Sequence, residues 1–230
     1  MPNHPVEHYK DGQTFLIDKK ADWTSFNVVS LMRGILKKTF NIRKLKVGHA
    51  GTLDPLATGL LIICVGKNTK KINEYVGLTK EYIADIEFGF TTPSYDMETE
   101  ADGQFDYSHI TKEMVEEVLQ KFIGEQEQVP PIFSAKNVNG KRAYKYARSG
   151  EKVEMKSSVI SIYSLEIQRF EMPRVKVKMT CSKGTYVRAF VRDFGKELNT
   201  GATMVGLRRT AIGNFSVENA LSIDEFKKNI

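Results

Sequence analysis

A single aspartate stands in the glycine-rich stretch GHAGTLDPLATG at residues 48–59. Glycine allows backbone conformations closed to other residues and lets a second molecule approach closely. Pro55 biases the preceding Asp54 away from helical geometry, so the carboxylate should point in a defined direction. A lone aspartate can act as a covalent nucleophile when a nearby arginine keeps it ionised. The alternative is that Asp54 only caps a turn, and residue types alone leave these two interpretations balanced.

Other kinds of catalytic site fit the sequence poorly. A phosphate-binding P-loop needs Ser or Thr after Gly-Lys, but Gly66-Lys67 is followed by Asn68. GxGxxG and GxSxG motifs are absent from the sequence. His49 and Asp54 have no third ligand at usable spacing, so we expect no metal site. The acids at 96–106 are expected in an exposed polar loop, which leaves paired-carboxylate hydrolysis without a second acid.

Two acid-free basic stretches point to a polyanionic partner. The chain has a net charge of +6 and a pI of about 9.1. Residues 27–53 contain six cations and no acid, although a solvated helix face would show the same pattern. Residues 129–150 interleave cations with Phe133, Tyr144 and Tyr146. Cations bind phosphates and aromatic rings stack on bases, so we predict nucleic-acid contact at 129–150.

Composition places the chain among cytoplasmic globular proteins. It has 230 residues, of which 41% are hydrophobic and 27% charged, an ordinary globular balance. Cys64 and Cys181 lie in apolar or alternating runs and should be buried free thiols. The N-terminal residues MPNHPVEHYKDG have no apolar core typical of a signal peptide, and no run is long enough for a membrane helix. We therefore expect a cytoplasmic protein.

The remaining patterns predict a mixture of strands and helices without a regular βαβ rhythm, which favours an α+β fold. An exposed loop is expected at 91–109. Strands are expected at 14–18, 60–65, 80–89, 158–169, 174–181 and within 203–217. Helices are expected from Ser25 to about Phe40 and at 67–76, 111–123, about 187–198 and 222–228. In the helix that begins at Ser25, the residues predicted to face inward are Phe26, Val29, Met32, Leu36 and Phe40. In the helix at 111–123, they are Met114, Val115, Val118, Leu119 and Phe122.

The glycine-rich stretch also resembles a known motif. GHAGTLDPLATGLLIICVG is similar to the catalytic motif G-H-x-G-x-L-D-P-x-A-x-G of the TruB family of tRNA pseudouridine synthases. Four further blocks agree with the family in order and spacing, so that the resemblance covers about residues 13–217. These blocks are FLIDKKADWTSF, KEYIADIEFG, VPPIFSAKNVNGKRAYKYARSG and CSKGTYVRAFVRDFGKELNTGATMVGLRRT.

The resemblance implies a fold and a reaction. The fold would be the pseudouridine synthase fold, an α+β arrangement with a mixed, mostly antiparallel central sheet flanked by helices and loops. The enzyme would be an isomerase that converts the T-loop uridine of tRNA, position 55, to pseudouridine, with no cofactor or metal. Asp54 would be the catalytic nucleophile, attacking either the ribose or the base ring.

The resemblance also implies roles for individual side chains. His49 would help hold the RNA loop with its target nucleotide flipped out, and Tyr82 would stack on the target base. Arg188 would pair with the catalytic aspartate, while Tyr186 and Leu207 would line the base pocket. The alternatives are a loop hydrogen bond for His49, core packing for Tyr82 and a surface cation for Arg188.

The 129–150 segment corresponds to a mobile part of the family that closes over the RNA. Its cations Lys136, Lys141, Arg142 and Arg148 are therefore the expected contacts to the RNA backbone. Binding should weaken steeply with salt, because phosphate contacts release counterions.

Two features depart from the family pattern. Lys19 is followed by Lys20 where the family has proline, and Asp22-Trp23 replaces a glycine region, so we expect the packing under the catalytic loop to differ. We also expect one catalytic domain over residues 1–230 without the further C-terminal RNA-binding (PUA) domain of most members.

The expected partner is the T-arm of tRNA, and the protein is expected to be a monomer without an obligate protein partner. Two alternatives remain, which are action on a different RNA hairpin and a non-catalytic role in helping tRNA fold.

Overall fold

The structure, a computed structural model, describes residues 6–151 and 153–230, with side chains described from Tyr9 onward. The first five residues of the N-terminal stretch, which is predicted not to be a signal peptide, lie outside that range. Among the described residues, no helix combines the length and the hydrophobicity needed to cross a membrane.

The helices are short or medium in length, and a 3-10 turn at Gly66–Lys71 precedes one of them. They are α1 (Val6–Asp11), α2 (Ser25–Thr39), α3 (Ile72–Gly77), α4 (Lys112–Lys121), α5 (Ala143–Ser149), α6 (Val187–Glu197) and α7 (Ile223–Asn229).

The strands include long ones that build the sheet and two-residue pairs at its margins. They are β1 (Gln13–Lys19), β2 (Val47–Ala50), β3 (Thr58–Val65), β4 (Lys80–Phe88), β5 (Phe90–Thr91), β6 (Gly103–Gln104), β7 (Gly124–Gln128), β8 (Asn137–Val138), β9 (Lys141–Arg142), β10 (Ser158–Glu171), β11 (Arg174–Cys181), β12 (Ala202–Ile212) and β13 (Phe215–Ser216).

Two compact units divide the chain. The first contains the residues up to Tyr82 together with Leu207–Ile230, and the second contains Ile83–Gly206. Strands β4 and β12 each contribute residues to both units.

The first unit is organised around the apolar strand β3. Strands β1 and β2 pair with it antiparallel, and β12 pairs with it in parallel through Arg208–Thr58 and Arg209–Gly59. The register places Lys19 of β1 opposite Gly59 of β3. Helices α2 and α7 bury Met32, Leu36 and Phe226 against the same core. The glycine-rich stretch with Asp54 therefore connects two strands of this sheet.

The second unit follows the strand order β12-β4-β11-β10-β7. β10 and β11 form an antiparallel hairpin, and β7 pairs antiparallel with β10. An aromatic cluster of Phe88, Phe122, Phe190 and Phe194 packs beneath it, with Phe190 and Phe194 stacked at 5.5 Å. The mixed sheet with flanking helices confirms the predicted α+β class.

Two predicted core positions are wrong. Phe26 is 62% exposed, because Ser25, Val29 and Met32 lie on the buried face of α2. Phe26 follows Ser25 directly, so the helical turn between adjacent residues directs its side chain away from that face. Met114 is 37% exposed because it lies beside the apolar stripe of α4.

The 91–109 region is less exposed than predicted. Thr92, Ser94 and Asp96 are buried, and the segment carries strands β5 and β6. Cys64 and Cys181 are buried free thiols, as predicted, and burial raises the pKa of Cys64.

Candidate active site

The loop that carries Asp54 connects β2 to β3 and is bracketed by two glycines in the left-handed region. Gly51 has φ 86° and Gly59 has φ 102°, conformations that side chains with a Cβ rarely adopt. The Ala57 amide donates to the Asp54 carbonyl at 3.2 Å, which closes a turn directly after the aspartate. Asp54 itself is half-buried. The glycines thus shape the backbone on both sides of the carboxylate.

Ser25 fixes the residue before the aspartate. Its Oγ accepts from the Leu53 amide at 2.8 Å and donates to the Leu53 carbonyl at 3.1 Å, and both side chains are buried. Ser25 is the first residue of α2, which Thr24 caps. One hydroxyl therefore satisfies both main-chain polar groups of Leu53 and ties the loop to a helix end.

Lys19 fixes the residue after the aspartate. This side chain is completely buried, and its Nζ donates to the carbonyls of Pro55 at 3.0 Å, Trp23 at 2.6 Å and Lys20 at 3.0 Å. Burial lowers the pKa of Lys19 to about 8, although the nearby Asp54 charge acts in the opposite direction. The buried ammonium group thus uses all three of its donors on main-chain carbonyls next to the loop.

Arg209 fixes the two ends of the loop. It is 1% exposed and donates from Nε to the Leu60 carbonyl at 2.8 Å and from Nη2 to the Gly51 carbonyl at 3.0 Å. A Cβ at Gly59 would overlap the Arg209 carbonyl oxygen and lie 2.8 Å from its amide nitrogen. Glycine is therefore required where β3 and β12 meet.

His49 lies on β2 with its ring partly covered. Among the described residues, its Nδ1 is buried without a hydrogen-bond partner. Burial, followed by the charge of Arg209, lowers the pKa of His49, so the imidazole is neutral at neutral pH. The predicted alternative of a local loop hydrogen bond finds no support at this nitrogen.

Tyr82 and Leu207 lie in the same unit as the loop. Tyr82 is 9% exposed on the buried face of β4, where the strand alternates as predicted. Leu207 is half-buried, and its carbonyl accepts from the Thr58 hydroxyl at 3.4 Å. Thr210 and Glu81 add a side-chain hydrogen bond of 2.7 Å in this region.

Arg188 and Tyr186 belong to the second unit. Arg188 is 3% exposed, so it is not a surface cation. It donates to the carbonyls of Ser94 at 3.1 Å and Phe133 at 2.9 Å, and it lies 3.4 Å from the buried carboxylate of Asp96. The Gln128 side chain accepts from the Tyr186 amide at 2.8 Å and donates to its carbonyl at 3.2 Å. Both residues are rigidly held.

The cations predicted in the 129–150 segment have partners inside the second unit. Lys136 donates to Ser158 at 2.8 Å, Lys141 pairs with Glu151 at 3.2 Å, and Arg148 pairs with Glu98 at 3.3 Å. Arg142 donates to the Ala135 carbonyl. The segment forms a small hairpin and helix α5.

Sequence models of two known domains together match residues 37–230. The TruB family pseudouridylate synthase N-terminal domain matches residues 37–187, and the tRNA pseudouridylate synthase B C-terminal domain matches residues 188–230. The chain belongs to the TruB family. It is accordingly a pseudouridine synthase, an isomerase, with the pseudouridine synthase fold.

Whole-length relatives agree with this family assignment. The chain is 50% identical over 219 residues to tRNA pseudouridine synthase B of Phocaeicola vulgatus, covering 95% of this chain and 93% of that protein. It is 49% identical over 214 residues to the protein of the same name from Parabacteroides distasonis, covering 93% and 91%.

Solved structures show the same fold. A chain in a crystal structure of a Cbf5-Nop10-Gar1 complex superposes with a TM-score of 0.74 at 25% identity. A chain in a structure of an H/ACA RNP bound to a substrate RNA containing 2'-deoxyuridine has a TM-score of 0.70 at 24% identity. The match covers 98% of this chain but 56% of each of those chains.

Four residues that hold the site of this TruB-family chain were not predicted. Lys19, Ser25 and Arg209 support the loop, and Asp96 lies beside Arg188. Their types gave no signal, because nothing local distinguishes a buried cation or serine from a solvated one. Among the described residues, no group of three or more His, Cys, Asp or Glu side chains could hold a metal ion.

Proposed function

We propose that this enzyme isomerises the T-loop uridine of tRNA, position 55, to pseudouridine with Asp54 as the nucleophile. The N1–C1′ glycosidic bond breaks, the uracil turns, and a C5–C1′ bond forms. The C5 hydrogen leaves as a proton and N1 takes up a proton, so the product is an isomer of the substrate. The covalent bond that Asp54 makes to the ribose or to the base ring is broken again before the product leaves. The substrate class rests on the relatives named tRNA pseudouridine synthase B at 50% and 49% identity over most of their length.

The observation that carries the role of Asp54 is the fixation of its loop. The residue before it is held by Ser25, the residue after it by Lys19, and the Gly51 carbonyl by Arg209. A carboxylate held in a fixed direction suits nucleophilic attack on a positioned substrate. A turn cap alone would not need three buried side chains to hold the main chain around it.

The remaining assignments follow the family motif residue by residue. His49 would support the RNA loop, and its neutral ring is only partly covered, so part of it remains open to the substrate. Tyr82 would stack on the target base, and Tyr186 and Leu207 would line its pocket. Arg188 would pair with the catalytic aspartate, and this role is supported by the family motif.

The T-arm of tRNA is the proposed partner. Lys136, Lys141, Arg142 and Arg148 would contact its backbone by exchanging their present partners for phosphates, which exposed ion pairs allow at little cost. The expectation of a monomer stays a prediction.

Tritium release tests the proposal. Unmodified tRNA carrying tritium at uracil C5 is incubated with wild type, Asp54→Asn and Asp22→Asn. Asp22 is an exposed carboxylate that also acts on Lys19, so it controls for the loss of charge. We expect release confined to the T-loop uridine, lost by on the order of 10⁴-fold in Asp54→Asn and retained in Asp22→Asn. Full release by Asp54→Asn would refute the nucleophile, and release from another uridine would refute the substrate position.

A further inference from the structure

A pocket in the first unit is lined mainly by lysines. It has a volume of about 280 Å³ and is formed by α1, the segment before β2 and the 3-10 turn. We call it the lysine pocket, and its lining residues are Lys10, Lys44, Leu45, Lys46, Gly66, Lys67, Thr69 and Lys70. Two of these cations, Lys44 and Lys46, belong to the acid-free stretch 27–53 and have no part in holding the Asp54 loop.

Main-chain contacts at one glycine bring these lysines together. The Gly66 amide donates to the Lys46 carbonyl at 2.8 Å, and the Thr69 hydroxyl donates to the Gly66 carbonyl at 2.8 Å. Gly66 has φ 63°, and a Cβ there would overlap the main-chain carbonyls of Tyr9 and Lys10. Three segments are therefore packed around Gly66, and the fold itself imposes the convergence of like charges.

Most of the converging cations have no counter-charge among the residues that the structure describes. Lys67 pairs with Asp11 at 2.7 Å. Lys10, Lys44, Lys46 and Lys70 are exposed, and within residues 9–151 and 153–230 no ion pair or hydrogen bond engages their ammonium groups. The cations of the 129–150 segment differ, because each of the four predicted there has an intramolecular partner.

The charge of the chain is concentrated in the same unit. Residues 1–82 and 207–230 contain 17 basic and 10 acidic residues, a net charge of +7. Residues 83–206 contain 17 basic and 18 acidic residues. A concave site lined by charge of one sign focuses the electrostatic field and concentrates anions.

We infer that the lysine pocket binds backbone phosphates of the RNA substrate, away from the nucleotide that reacts. Lysine is a point-charge ligand for phosphate, and contacts of this kind position a nucleic acid without reading its sequence. No aromatic side chain of the described residues lines the pocket, so these residues offer no platform for stacking a base or a free nucleotide. The inference rests on the proposed RNA substrate and assigns a second contact surface to it.

The test is the salt dependence of tRNA binding, measured by fluorescence anisotropy between 50 and 200 mM potassium chloride. The variant carries Lys44→Ala, Lys46→Ala and Lys70→Ala. The matched control carries Lys121→Ala, Lys196→Ala and Lys228→Ala, which removes the same charge from exposed sites elsewhere. Three lost phosphate contacts should lower the slope of log K against log salt by about 2 to 3. Across that fourfold range, the rise in Kd should be smaller than for wild type by a factor of about 15 to 60.

Three further measurements decide the interpretation. The Lys→Arg triple variant at the same positions should restore the wild-type slope, and a thermal melt shows that each variant is folded. Equal slopes for wild type and the alanine variant would overturn the inference. Equal slopes together with saturable binding of inorganic phosphate by wild type alone would identify a site for free anions instead.

Binding is measured without turnover, so the two proposals fail separately. Absence of pseudouridine in tRNA treated with wild type would refute the proposed function while leaving the slope comparison valid. Pseudouridine formation with an unchanged slope would refute only the lysine pocket.

Discussion

Replacing Lys19 with methionine tests whether a buried cation holds the loop that carries Asp54. Methionine keeps a similar length and removes the ammonium group, which donates to the carbonyls of Pro55, Trp23 and Lys20. We expect Lys19→Met to destabilise the fold and to release the main chain next to Asp54.

The size of the effect follows from two opposing contributions. Hydrogen bonds from a charged donor are worth about 1.5 to 3 kcal/mol each, so three contribute roughly 5 to 9 kcal/mol. Burial of the ammonium opposes them by roughly 3 kcal/mol, because desolvating an ion costs several kcal/mol, and the same burial lowers the pKa of Lys19. The net loss on mutation is therefore about 2 to 6 kcal/mol. Lys20→Met is the control, because Lys20 is exposed and should change stability by about 0.5 kcal/mol.

The difference in stability between wild type and Lys19→Met should depend on pH, and the pKa of Lys19 gives the sign of this dependence. The pKa of Lys19 is lower in the folded than in the unfolded state, so between pH 8 and 10.5 the unfolded chain binds more protons. The contribution of Lys19 to the free energy of unfolding then rises with pH. The gap between wild type and Lys19→Met should widen by up to roughly 3 kcal/mol across this window.

Urea unfolding at pH 7 and pH 10 measures the stability difference, and tritium release measures the loop. A misplacement of the aspartate by about 1 Å lowers the rate by about 100-fold. A variant as stable and active as wild type at pH 7, with a gap independent of pH, would refute the role of Lys19.

Two further predictions concern residues that stabilise the first and the second unit, respectively. Gly59→Ala should destabilise the protein by more than about 2 kcal/mol in urea unfolding, because Gly59 has φ 102° and a Cβ there would overlap the Arg209 main chain. Gly34→Ala is the control, since Gly34 faces open space within α2, and it should stabilise the protein by about 0.5 to 1 kcal/mol. Arg188→Met should cost about 3 to 5 kcal/mol by thermal or urea unfolding, because it leaves Asp96 buried without its cation, and an unchanged midpoint would contradict that reasoning.

The sequence predicts those parts of the fold that a local pattern determines. The alternation in β4 correctly places Tyr82, Ala84 and Ile86 on its buried face. The glycines and the proline around Asp54 indicate a shaped loop, and the structure has one there. These features depend on residues that are neighbours in the chain, so a short window of sequence contains the information.

The side chains that hold the loop depend on long-range register instead. Lys19 and Lys20 are adjacent and of one type, yet Lys19 is completely buried and Lys20 is exposed. The difference arises because β1 pairs with β3 so that Lys19 lies opposite Gly59. Asp96 was predicted in an exposed acidic loop for the same reason, since its burial depends on Arg188, far along the chain.

The distribution of engaged and unengaged cations gives the charge of the chain two separate roles. Lys19 and Arg209 donate hydrogen bonds to main-chain carbonyls, so they hold the Asp54 loop in place and also put positive charge next to it. The exposed cations of the lysine pocket have no such bonds to described residues and remain available to phosphates. Net charge alone cannot separate these roles, because it counts a buried structural lysine and an exposed one equally. Substitution can separate them, since removing Lys19 should reduce stability, whereas removing Lys44 should weaken RNA binding and lower its salt dependence without reducing stability.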